Sequence, residues 1–336
     1  MTETSPMTLA CPPRRAALRG LAAFLLAPAP LLGLAADGRY PDKPLRILVG
    51  ASPGGGTDIL ARLLADKFSP ALGQPVVVEN RPGASNTIAA DLAAHAPADG
   101  STLLLATNTG QAVAPHLLKL KYDPLKDLQP IGLVAVMPNV LIVPTDAPYR
   151  SVQDLLVAMR AKPGGFRYAS SGIGSTQHVA GEAFTFATGT KAIHVPYRGS
   201  SQAHLDIIGG QVEMMFDSTS SAMGQIRAGK FRALAVAAPR RIAELPEVPT
   251  LAESGVKGAD VDTWYGLFVT AGTPRTAVEQ LAATLTQSLG MADVQERIKG
   301  LGGEIKVMGI GPFADMNRSE FERYGKLVRD TGMRAE

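Results

Sequence analysis

Gly50-Ala51-Ser52-Pro53-Gly54-Gly55-Gly56-Thr57-Asp58 follows the strand-like run Leu45-Arg46-Ile47-Leu48-Val49 and leads into an amphipathic helix pattern that begins at Ile59. A second stretch of small residues, Ser170-Ser171-Gly172-Ile173-Gly174-Ser175-Thr176, follows Phe166-Arg167-Tyr168-Ala169 and opens another helix. Small side chains leave the first N–H groups of a helix uncovered. Together with the positive end of the helix dipole, those groups favour an anion. Two such mouths, one in each half of the chain, suggest a clamp around a small carboxylate.

Other chemistries fit these residues less well. Gly50-Ala51-Ser52-Pro53-Gly54 matches the G-x-S-x-G nucleophile elbow, but the residue after the serine must supply an oxyanion-hole N–H and Pro53 has none. Nor do His95, His116, His178, His194 and His204 offer the late histidine of such a triad. A phosphate loop starting at Gly50 would carry lysine where Gly56 stands. Gly172-Ile173-Gly174-Ser175-Thr176-Gln177 lacks the third glycine of a dinucleotide fingerprint. The histidines lack zinc-like spacing and no carboxylate run resembles a calcium loop. No cofactor, no metal and no catalytic residue is expected.

Several loop residues admit two readings. Asp58 could hold a ligand, or it could stabilise the first turn of its own helix. Thr57 and Thr176 could be simple caps or donors to a bound anion. Gly54, Gly55 and Gly56 could form only a turn, although three glycines together cost backbone entropy that a short turn does not require. His178 could be a ligand donor or a packed neutral ring. Asp217, at a strand end, would repel an anion unless it positions a donor, a water or a ligand amine. Arg198 could pair with a carboxylate or sit at the surface.

The elements that must carry these residues alternate nearly throughout. Expected strands are residues 45–49, 76–79, 102–106, 131–137, 140–143, 166–169, 192–195, 212–216, 233–237 and 265–269, separated by helical patterns. That order predicts parallel strands joined by right-handed crossovers. Ser151 with Asp154 makes a capping-box start for a helix over 152–161. Thr273 reads as the cap of a helix over 274–289, and a last helix is expected over 312–329. If residues 139–144 and 264–272 both cross between two α/β units, they form a hinge. Domain one is then 37–141 with 266–336, and domain two is 142–265.

Residues 1–36 read as an export signal: Arg14, Arg15 and Arg19 precede an uncharged stretch from Gly20 to Ala36 that ends in small residues. Sec and twin-arginine routes both remain open. The one cysteine, Cys11, falls in this segment, so no disulfide is expected in the exported chain. Thr8-Leu9-Ala10-Cys11 resembles a lipoprotein box but no apolar region precedes it. Without residues 1–36 the chain has 30 basic and 29 acidic residues, so nothing points to nucleic acid or an acidic membrane surface.

Several ordered segments resemble the tripartite tricarboxylate transporter substrate-binding proteins, the Bug family of solute receptors. They are Tyr40-Pro41-Asp42-Lys43-Pro44, Pro53-Gly54-Gly55-Gly56-Thr57-Asp58, Val77-Val78-Glu79-Asn80-Arg81-Pro82-Gly83-Ala84, and Tyr122-Asp123-Pro124-Leu125-Lys126-Asp127-Leu128. The second half adds His194-Val195-Pro196-Tyr197-Arg198-Gly199-Ser200, Met215-Phe216-Asp217 and Leu245-Pro246-Glu247-Val248-Pro249-Thr250. The resemblance spans residues 39 to 332. It implies a type II periplasmic binding protein fold: two doubly wound α/β domains, a two-segment hinge, and a ligand cleft between them. It further implies a monomer in the periplasm that passes a small organic carboxylate to a membrane permease. A solute sensor serving a signalling partner, or a hydrolase acting in the same cleft, is the alternative.

Carried over position by position, the implied ligand contacts in domain one are Ser52, Pro53, Gly54, Gly55, Gly56, Thr57, Asp58, Thr107 and Asn108. Those in domain two are Ser171, Gly172, Ser175, Thr176, His178, Tyr197, Gly199, Ser200 and Asp217. Many relatives carry an aromatic residue where this chain has Ala51, so a wider cleft or a lost stacking surface is expected there. One helix mouth contributes about 0.3–1 kcal/mol and a charged hydrogen bond roughly 1.5–3, against about 8 for micromolar binding. Donors from both sides of a closed cleft are therefore required.

Overall fold

The structure, a computed structural model, describes residues 40–331, 333 and 334. The expected export signal lies outside the described residues. Nine strands form the sheet: β1 (Leu45–Val49), β2 (Val76–Asn80), β3 (Thr102–Thr107), β4 (Leu128–Pro144), β5 (Arg167–Ser170), β6 (Ile193–Pro196), β7 (Met214–Ser218), β8 (Phe231–Ala237) and β9 (Asp262–Thr270). The helices are α1 (Gly56–Leu72), α2 (Thr87–Ala94), α3 (Val152–Ala161), α4 (Thr176–Thr188), α5 (Ser200–Ile208), α6 (Thr219–Arg227), α7 (Arg275–Leu289), α8 (Ala292–Gly300) and α9 (Ile310–Thr331). The strand order is β2-β1-β3-β9-β4-β7-β5-β6, with β8 also paired to β4.

The sheet is mixed rather than parallel throughout. β1 pairs in parallel with β2 and β3, and β5 with β6 and β7. β9 runs antiparallel to both β3 and β4, and β4 runs antiparallel to β7 and β8. The two strands expected over 131–137 and 140–143 are one continuous β4. Pro138 sits where β4 changes partner: residues 128–138 pair with β9, and residues from Asn139 onward pair with β7 and β8. A proline is tolerated at such an irregular point because it has no N–H to give a ladder.

Side-chain alternation along the strands sends neighbours to opposite faces. Ile47 and Val49 of β1 pack with Leu60, Leu64 and Phe68 of α1 and with Leu281 of α7. Leu48, on the other face, packs with Ala89, Ala90 and Ala93 of α2 and with Trp264 and Phe313. The second half repeats the arrangement. Tyr168, Met214 and Phe216 meet Leu155 of α3 and Phe184 of α4, whereas Ala169 and Met215 meet Ala203 and Ile207 of α5. Strands covered on both faces explain the continuous apolar runs in the sequence. Each fully buried Leu or Phe contributes on the order of 1.5–3 kcal/mol.

Helix ends follow local chemistry. α1 begins at Gly56, three residues before the apolar pattern starts, because Gly55 is already in extended conformation at the cap. Ser151 and Asp154 form the expected capping box of α3. Thr273 does not cap α7. Its hydroxyl donates instead to Thr270 O at 2.8 Å, and Pro274 occupies the cap position. Among the described residues, no helix is long and apolar enough to cross a membrane.

Candidate functional site

A cavity of about 30 Å³ lies where four helices begin. It is lined by Gly56 and Thr57 at the start of α1, Thr176 and Gln177 at α4, Ser200 at α5, and Ser218 and Ser221 at α6. Thr107 and Thr109 enter from the end of β3, Thr263 and Tyr265 from β9, and Ala51, Gly55, Asn86 and Ser171 complete it. This is the carboxyl end of the parallel pairs β1–β3 and β5–β7, where such sheets bind ligands. Among the described residues, no Lys, Arg, Asp, Glu or His lines the cavity. The helix starts around it each act as about half a positive elementary charge.

The residues expected at the site divide by position. Gly55, Gly56, Thr57, Thr107, Ser171, Thr176 and Ser200 line the cavity. Pro53 and Gly54 are exposed, and Gly54 takes a left-handed turn at φ 78°. Ser52 is buried, and its hydroxyl donates to Arg198 O at 3.1 Å, tying the first loop to the segment before α5. Asp58 faces inward on its own turn, accepting from Gly54 N at 2.9 Å and from Arg62 Nε and Asn80 Nδ2 at 3.0 Å each. Burial opposes its ionisation, but the bonds from Arg62, Gly54 and Asn80 outweigh burial and lower its pKa. Asn108 gives its amide to Asp262 O and to the Tyr324 hydroxyl, while its neighbour Thr109 reaches the cavity.

In the second loop, Gly172 sits at φ 134° beside Ser85, and a Cβ there would lie 3.1 Å from Ser85 Oγ. Ser175 caps α4, its hydroxyl accepting from His178 N at 3.2 Å. His178 is buried beneath this loop and its Nδ1 accepts from Gly174 N at 3.0 Å. Its ring stacks on His194 with centroids 3.9 Å apart. Burial, and then the His178 neighbour, hold His194 far below the usual imidazole range, at about 3. The Tyr197 hydroxyl donates to Asp206 Oδ2 at 2.6 Å, and Gly199 packs its backbone against Ser52.

Asp217 does not line the cavity; it stands directly behind it with no exposure. Its carboxylate accepts from Ser200 Oγ, Ser221 Oγ and His204 Nε2, all at 2.7 Å, and from Ser218 N at 2.9 Å. Gln177 Nε2 adds a bond at 3.4 Å. Burial raises its pKa, but the bonds from His204, Ser200 and Ser221 overcome this and the net shift is downward. Among these partners, Ser200, Ser218, Ser221 and Gln177 belong to the cavity wall.

Asn86, Thr109, Gln177, Ser218, Ser221, Thr263 and Tyr265 line the cavity without having been expected there. Ser218-Thr219-Ser220-Ser221 was the available signal, since it is a hydroxyl-rich strand-to-helix junction like the second loop. Asn86 had none. It belongs to three consecutive non-glycine residues, Ala84, Ser85 and Asn86, held at φ 43°, 55° and 70°. Such left-handed residues cost of order 1–2 kcal/mol each and collect at ligand clamps. Here the kink lets Ser85 donate to Ile173 O of the second loop and puts Asn86 at the cavity, its Nδ2 donating to Thr107 Oγ1 at 3.2 Å. Gly50 admits this segment, because a Cβ there would lie 2.5 Å from Asn86 Cβ.

This sheet, with its helix starts gathered around one cleft, is the fold of the periplasmic binding proteins. The structure superimposes on the periplasmic binding protein BugD with TM-score 0.84 and 34% identity over 88% of this chain and all of that one. It is similar to an R. palustris protein solved with adipate: TM-score 0.85, 33% identity, 88% of this chain and 99% of that one. MatC from Rhodopseudomonas palustris, solved with bound malate, matches at TM-score 0.81 and 31% identity, over 86% of this chain and all of that one. The family model of the tripartite tricarboxylate transporter family receptor, TctC, matches residues 60–333. The chain belongs to this family.

Proposed function

We propose that this chain is a periplasmic, non-catalytic receptor that captures a small organic carboxylate and delivers it to the permease of a tripartite tricarboxylate-type transporter. The observation that carries the reading is the convergence of four helix starts on one cavity lined by hydroxyls, amides and glycine backbone and, among the described residues, by no ionised side chain. An anion there meets the N–H groups of the helix start at Gly56 and the hydroxyls of Thr107 and Thr109. The two solved relatives with adipate and malate support a carboxylate as the ligand class. Residues 37–141 with 266–336 act as one lobe and 142–265 as the other, with β4 and β9 as the hinge.

Calorimetry with di- and tricarboxylates, amino acids and aromatic acids tests the reading. One-to-one saturable binding of an unchanged ligand is expected. Turnover of any of them that Ser52→Ala abolishes would overturn it in favour of an enzyme. Loss of uptake of the bound acid in cells lacking this chain, restored by supplying it, checks delivery to a permease.

A further inference from the structure

We infer that the ligand carries a hydrogen-bond donor, a hydroxyl or an ammonium, on the carbon next to its buried carboxylate, and that the Asp217–Ser200–Ser221 wall selects it. The inference rests on the carboxylate-receptor reading and names the class within it. It follows from counting protons. A serine hydroxyl has one proton to give. Ser200 gives its proton to Asp217 Oδ1, and Ser221 gives its own to Asp217 Oδ2 at 2.7 Å or to Ser218 O at 3.1 Å. Ser218 Oγ, Ser220 Oγ and the Tyr265 hydroxyl form a closed triangle with sides of 2.8, 2.8 and 3.1 Å, which uses all three of their protons.

The hydroxyls that this wall turns to the cavity are therefore lone pairs with a buried carboxylate behind them. They match a donor and repel a second anionic oxygen. The opposite side has protons to spare. Thr107 Oγ1 and Thr109 Oγ1 each accept a bond, from Asn86 Nδ2 and from Thr176 N, and keep their own proton for a ligand. The first N–H groups of α1 add to them. Both sides border one cavity of about 30 Å³, room for about two water-sized groups. Acceptor and donor on the ligand must therefore sit on adjacent atoms, as in a 2-hydroxy or 2-amino carboxylate.

Titration calorimetry on the ligand-free protein with four matched sets tests this: propionate, lactate and alanine; succinate, malate and aspartate; glutarate, 2-hydroxyglutarate and glutamate; phenylacetate, mandelate and phenylglycine. Within the set that binds, the hydroxy or amino acid should bind about tenfold or more tighter than the unsubstituted acid, the worth of one charge-assisted hydrogen bond. Whether the hydroxyl or the ammonium member wins distinguishes the two donors. That advantage should shrink at least threefold in Ser200→Ala or in Ser221→Ala. Because Asp217→Asn could fail to fold, these milder variants carry the test. Equal or tighter binding of the unsubstituted acid, or an advantage unchanged in both serine variants, overturns the inference. Binding of none of the acids overturns the carboxylate reading itself.

Discussion

At Gly56 one methyl group decides whether the helix starts can meet. A Cβ there would lie 2.1 Å from Ser220 Oγ and 2.8 Å from the Tyr265 hydroxyl, both buried and hydrogen-bonded to each other. Neither neighbour can yield without breaking the hydroxyl triangle. Alanine's better helix propensity, about 1 kcal/mol, offsets only part of that clash. Gly56→Ala should therefore lower the melting temperature by several degrees and weaken ligand binding at least tenfold. A variant that binds normally would show that α1 need not approach α6 this closely. Asp58, two residues on, is the contrasting case: its bonds to Gly54, Arg62 and Asn80 all stay within the first loop, the start of α1 and the end of β2.

At the scale of elements, the second loop rests on two stacked imidazoles. His178 Nδ1 accepts from Gly174 N and His194 Nε2 lies 2.6 Å from Ser170 Oγ, so the strand end and the loop both depend on these rings. The folded-state pKa of His194, about 3, lies below the unfolded value near 6.5. A group that must stay neutral contributes its full stability above the unfolded pKa and loses it as pH falls toward the folded one. Between about pH 6.5 and 3, acid should destabilise the protein by somewhat less than the full ~1.4 kcal/mol per pH unit, because the ring is only partly buried. Urea unfolding across that range should show a shallower pH dependence for His194→Gln than for wild type. An unchanged slope would place the acid-sensitive group elsewhere.

The same loop shows how far the elements could be read from the chain. Ser171-Gly172-Ile173-Gly174 and Gly54-Gly55-Gly56 announce their helix mouths because glycines clear the backbone after an apolar strand. The mouths of α5 and α6 open on Ser200 and on Ser218–Ser221; a single serine at a helix start is common, and only the hydroxyl-rich run at α6 carries a weak signal. Asn86 depends on a left-handed kink, which local composition does not encode. The expected strands 131–137 and 140–143 are one β4 because it exchanges β9 for β7 and β8 at Pro138, a change of partner that the local sequence does not encode.

At the scale of the molecule, the proposed two-lobe receptor would have its gathered helix starts in a closed state that must open. A cavity of about 30 Å³ admits a carboxylate-sized group but not the body of an organic acid from solvent. Three contacts that need no ligand hold the two sides together: Ser52 Oγ to Arg198 O, Ser85 Oγ to Ile173 O, and Thr176 N to Thr109 Oγ1. Each contributes about 0.5–1.5 kcal/mol to the closed form, and the apparent affinity of the protein scales with the fraction that is closed and competent. Removing the two serine contacts in Ser52→Ala/Ser85→Ala should therefore shift the population open by about 1–3 kcal/mol, or roughly five- to 150-fold in the equilibrium. Small-angle scattering of the ligand-free double variant should give a larger radius of gyration than wild type. Saturating ligand should bring both to the same smaller value, because its own bonds replace the missing ones, and the variant should need a higher concentration to get there. Neither serine lines the cavity. A loss of affinity with no change in the ligand-free dimensions would mean that they touch the ligand after all, and that closure is held by something else.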